Sequence, residues 1–96
     1  MAKPKNVILI VADSLRYDSV YREAGPGVPY LENNAVQFSN ARSSACWTLP
    51  ATTCMFSGMM PHEHGATSQT RWFKNEIPSL ATKLKGAGYK PLMVTA

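Results

Sequence analysis

Thr48 stands one residue ahead of Leu49-Pro50, within the stretch SSACWTLPATTCMFSGMMPHEHG at 43–65. A hydroxyl where a loop turns into a helix has two uses. It caps the helix by accepting from first-turn N–H groups, or it is a nucleophile beside amides that hold an anion. Residue type and spacing leave both open. Asp13 is the second candidate, directly after the apolar run Val7 to Ala12. An aspartate there either caps the following helix or faces the carboxyl edge of a sheet, where ligands of open α/β folds collect. His62 and His64 sit two apart in a Pro-His-x-His-Gly turn. Without a cysteine or carboxylate cluster beside them they read as turn residues or hydrogen-bond donors rather than metal ligands. Cys46 and Cys54 are eight apart, lack the CxxC spacing of zinc or redox sites, and read as small buried hydrophobes.

The elements that must position these residues follow from the apolar pattern. The run 6–12 has no polar alternation, as in a strand buried on both faces of a parallel sheet. A helix is expected over about 15–23. Gly25-Pro26-Gly27 breaks the chain, and a short helix over 29–35 opens with Pro29 in its first turn. Residues 36–41 alternate like a half-exposed strand. A polar loop over 42–47 leads to a helix from about 49 to 57 that stops at Gly58, with a turn over 59–65 beyond it. Residues 66–76 are irregular, and 77–85 form an amphipathic helix with Leu80 and Leu84 on one face. The chain turns strand-like over 89–96. This order predicts an α/β domain with a largely parallel sheet. Because so few elements cannot cover both faces of such a sheet, it reads as the amino-terminal portion of a larger domain, with more of that domain expected after Ala96.

Ninety-six residues make at most one domain, and 45% hydrophobic with 17% charged is ordinary for a globular chain. The net charge of +4 is dispersed, with no basic stripe interleaved with aromatics, which argues against nucleic acid as a partner. No apolar run approaches the ~20 residues that span a bilayer. No signal-peptide pattern is present at the start, so a cytoplasmic address with no membrane partner is expected. Trp47 and Trp72 read as packing residues, Met55, Met59 and Met60 as core, and Arg16 and Arg42 as surface or ion-pair residues.

The ordered set of segments resembles the sulfatase family of the alkaline phosphatase superfamily. The likeness runs through Asn-Val-Ile-Leu-Ile-Val-Ala-Asp-Ser-Leu-Arg at 6–16, Val28-Pro29-Tyr30-Leu31-Glu32 and Ala35 to Ala41. It continues through Thr48-Leu49-Pro50, Phe56 to Gly65, and Leu80 to Lys90. The resemblance implies one incomplete catalytic domain over 1–96, the amino-terminal part of a parallel-sheet sandwich. It implies Asp13 as a metal ligand and Thr48 as both metal-bound and catalytic, with a divalent cation (calcium, zinc, magnesium or manganese) against an anionic ester.

The chain departs from the family pattern at positions that matter for the chemistry. Ser14 replaces a second aspartate, Thr52 replaces the arginine of Cys-x-Pro-Ser-Arg, and Thr48 replaces its cysteine. Threonine cannot become formylglycine, because its β-carbon carries a methyl group. Thr48-Leu49-Pro50 instead resembles the Thr-x-Pro of the superfamily's phosphodiesterases and phosphotransferases. The implied function is therefore a metal-dependent hydrolase of sulfate or phosphate esters, phosphate favoured, with Thr48 the covalent nucleophile. A phosphoryl-group transferase and a non-catalytic fragment or binding module are the alternatives. With Asp13 the one plausible metal ligand, the 96 residues alone are expected to be inactive.

Overall fold

The computed structural model describes residues 5–22, 25–68 and 76–95. These fall into two compact units, divided between Asn40 and Ala41.

The first unit holds α1, Tyr17–Arg22, and α2, Gly27–Asn34. α1 starts after a turn at Asp13-Ser14, where Ser14 takes a left-handed φ of 58°. Asp18 in its first turn and Arg22 in its last both suit the helix dipole. α2 opens with the Val28 N–H donating to the Gly25 carbonyl at 3.1 Å. Near its end the Asn33 and Asn34 side-chain amides donate back to the Pro29 and Tyr30 carbonyls, both at 2.8 Å. None of the described side chains of this unit is buried.

The second unit holds α3, Thr48–Ser57, α4, Pro61–His64, and α5, Leu80–Gly86. α3 packs against both α4 and α5. It ends at Gly58 with φ 70°, and α4 ends at Gly65 with φ 73°, so two left-handed glycines set the turn on either side of α4. Pro61 opens α4, and the Met60 N–H donates to the Glu63 carboxylate at 2.7 Å, tying down its first turn. The segment expected as a plain turn is thus a single helical turn. α5 is capped by Ser79, whose hydroxyl accepts from the Thr82 N–H at 3.2 Å. At its other end the Tyr89 N–H reaches the Leu84 carbonyl at 3.0 Å, and Gly88 takes φ 88°, a Schellman ending.

The expected fold class is corrected. Five helices and no strand are present among the described residues, so the parallel-sheet sandwich of an α/β domain is not formed. The three strand-like runs, 7–11, 36–38 and 92–94, keep their large apolar side chains exposed. The physical reason lies in what each element needs. A helix closes its own hydrogen bonds within a few residues, whereas a strand gains order only from a neighbouring strand and a covered face. Burial is correspondingly concentrated in the second unit, at Pro50, Thr53, Cys54, His64 and Ala66.

Candidate functional site

Thr48 is the first residue of α3, and Trp47, with extended φ −149° and ψ 167°, is its N-cap. The threonine is therefore one position inside the helix rather than at its N-cap. Proline at 50 fits because the N–H groups of the first turn have no intrahelical acceptor. Further along, three hydroxyls bond back to carbonyls a turn earlier. Thr52 Oγ1 donates to the Thr48 carbonyl at 2.7 Å, Thr53 Oγ1 to Leu49 at 2.7 Å, and Ser57 Oγ to Thr53 at 2.6 Å. Such bonds turn the hydroxyls onto their own helix. Thr52, where the family pattern has an arginine, is thus turned onto the Thr48 carbonyl and brings no positive charge to an anion.

Asp13 lies in the first unit, exposed, in the turn before α1 rather than at the end of a strand. Three residues on, Arg16 engages Asp18 with two parallel bonds, Nε to Oδ1 at 2.9 Å and Nη2 to Oδ2 at 3.0 Å. That guanidinium holds the Asp18 carboxyl below its ordinary value of 3.8. The ion-pair reading of Arg16 describes it, while Arg42 is exposed.

The best-defined polar contact in the second unit was not legible in the motif. Cys54 Sγ and His64 Nε2 are 3.3 Å apart, both residues buried. The Ala66 N–H donates to His64 Nδ1 at 3.0 Å. Nδ1 is therefore the acceptor nitrogen, which leaves the ring proton on Nε2, directed at the sulfur. This arrangement fits the hydrogen-bond reading of His64. A signal existed in the spacing: Cys54 falls one helical turn after Pro50, on the buried side of α3, and the Gly58 turn folds the chain back. The pairing of cysteine residues as buried hydrophobes holds for Cys54 alone, since Cys46 is exposed. The core reading of the methionines is corrected for Met55 and Met60, which are exposed. Trp47 is half-buried, and Trp72 lies outside the described residues.

Among the described residues, no group of three or more His, Cys, Asp or Glu side chains is placed to hold a metal ion. The expected catalytic arrangement, a cation at a sheet edge beside an activated hydroxyl and an anionic ester, has neither the sheet nor the ligand cluster. The readings as an ester hydrolase, as an enzyme, and as part of a sulfatase-type catalytic sandwich are corrected on that ground. A separate finding is that no helix is long and apolar enough to cross a membrane among the described residues.

In sequence, the family model described as Sulfatase matches residues 5–96. An N-acetylglucosamine-6-O-sulfatase of Bacteroides thetaiotaomicron is 23% identical over 97 residues, covering 96% of this chain. The chain spans 17% of that relative's length. No solved structure matches significantly.

Proposed function

We propose, from the premise that the chain belongs to the sulfatase family, that these 96 residues act as a non-catalytic binding module. The observation that carries this reading is the exposure of the apolar run Val7 to Val11, which forms no strand, in a chain whose polar residues gather no metal cluster among those described. An exposed apolar run of this kind is a binding element waiting for a complementary surface.

Asp13 and Thr48 are each proposed, separately, as a contact for a divalent cation, supported by residue type and by match to the family pattern. Either alone falls far short of the six to eight oxygens a calcium ion takes, so any such binding is weak. A cytoplasmic address is proposed as well, supported by the free thiols of Cys46 and Cys54, which suit a reducing compartment. Titration calorimetry with calcium, magnesium, zinc and manganese tests the module reading. Weak or undetectable heats are expected, and tight, stoichiometric binding would contradict it.

A further inference from the structure

Both ring nitrogens of His64 are engaged, and only the neutral ring allows it. Nδ1 accepts from the Ala66 N–H at 3.0 Å and so carries no proton, while Nε2 carries the proton that faces Cys54 Sγ at 3.3 Å. His64 is 1% exposed and Ala66 is wholly buried. A second proton would have to sit on Nδ1, pointing at the Ala66 N–H. Two donors cannot share that contact, and the amide lies too deep for solvent to replace its acceptor.

The surroundings offer an imidazolium no counter-charge. α3, which packs against α4, contains no Asp, Glu, Lys or Arg, and Cys54 is its one ionisable side chain. α5, packed on α3 in turn, carries Lys83 and Lys85, both exposed and both cations. On α4 itself His62 and Glu63 are exposed, and the Glu63 carboxylate already accepts from the Met60 N–H at 2.7 Å. Among the described residues no carboxylate pairs with His64. A buried charge without a partner is costly.

We propose that His64 is a proton-sensitive latch: the turn between Gly58 and Gly65 stays closed while the ring is neutral and opens when it takes up a proton. The closed turn has no place for that proton. The opened chain does, at the ordinary histidine value of about 6.5. Opening is therefore coupled to proton uptake, and the form that binds more protons gains as pH falls. The closed turn is fully favoured above about pH 6.5 and loses ground below it. With uptake confined to the open form, the opening constant rises about tenfold between about pH 7.5 and about pH 5.5. Over that window side-chain carboxylates stay ionised and thiols stay protonated. The change falls to histidine, and the chain has two, His62 and His64. The latch stands whether or not the chain cleaves esters.

The test is the protection factor of the Ala66 amide, each exchange rate being referred to the intrinsic rate at the same pH. It is measured from about pH 7.5 to about pH 5.5 for the 96-residue chain, His62→Asn and His64→Asn. Wild type and His62→Asn should lose about tenfold in protection. His64→Asn, whose amide does not titrate, should lose none. Nitrogen NMR of the wild-type ring is a second readout that needs no variant to fold. At neutral pH Nδ1 should be bare and Nε2 protonated, and the imidazolium should appear in step with the loss of Ala66 protection. Flat protection in the wild type overturns the proposal, as does an equal pH slope in His64→Asn. An imidazolium that forms while Ala66 stays protected, or a neutral ring protonated at Nδ1, overturns it as well.

Discussion

Cys54 Sγ lies 3.3 Å from His64 Nε2, joining α3 to α4 across ten residues of sequence. His64 is only 1% exposed, and its other nitrogen accepts from the backbone of Ala66, which is wholly buried. One imidazole thus satisfies a backbone donor and faces a sulfur at once. This clip spans the same turn that Gly58, Gly65 and the Met60–Glu63 bond shape.

Replacing His64 with alanine removes both contacts and leaves the buried Ala66 N–H without its acceptor. An unpaired buried donor costs about 1–3 kcal/mol, and the lost ring volume adds to it. His64→Ala should lower the urea midpoint accordingly and speed amide exchange at Ala66. His64→Asn, which offers a carbonyl near that N–H, should lose less. Equal stability of wild type and His64→Ala would remove the clip from the account.

The glycines that flank α4 make a second, independent prediction. A Cβ added at Gly58 or Gly65 would meet nothing within 4 Å, so only the positive φ opposes a side chain there. Gly58→Ala and Gly65→Ala should each cost about 1–2 kcal/mol through the left-handed backbone alone. Gly25→Ala and Gly27→Ala, with equal space and no positive φ, should cost much less. Denaturant midpoints of the four variants separate conformational strain from crowding.

The Arg16–Asp18 pair predicts a pH effect with a definite sign. Because Arg16 lowers the Asp18 pKa in the folded chain, the pair's stabilisation is present above the ordinary value of 3.8 and is lost as pH falls through the lowered folded value. Proton titration of the Asp18 carboxyl by NMR should show a midpoint below 3.8 that moves back up in Arg16→Ala. An unchanged midpoint in that variant would assign the shift to another cause. Near neutral pH the two proteins should differ little in stability, since the pair is exposed.

These results show which features were legible in the sequence. Helices α1, α2, α3 and α5 were, because their signals are local, whereas the sequence marks α4 only as a turn. Gly58 stopped α3, Gly25-Pro26-Gly27 separated α1 from α2, and Leu80 with Leu84 marked α5, whose start at Ser79 follows from ordinary capping chemistry. The strands were not. A run such as Val7 to Val11 advertises β structure through residues that suit a pleated, covered surface, and that surface must be supplied by other segments. Asp13 and Thr48 rest on residue type and family spacing, not on geometry. Side-chain placement at Thr52, turned onto its own helix, and the Cys54–His64 contact depend on how α3 and α4 pack, which no short motif encodes. Arg16 was legible in its ion-pair role because Asp18 is two residues away.

The central claim is that these 96 residues carry the family's sequence without its ester-cleaving chemistry. The most direct test is turnover of sulfate-ester, phosphomonoester and phosphodiester substrates by one preparation of the chain, with each divalent cation in turn, beside Thr48→Ala. Rates equal to buffer, and the same for wild type and Thr48→Ala, are the predicted result. Metal-dependent turnover that Thr48→Ala abolishes would contradict it, and would make Thr48 a nucleophile rather than the first residue of a helix.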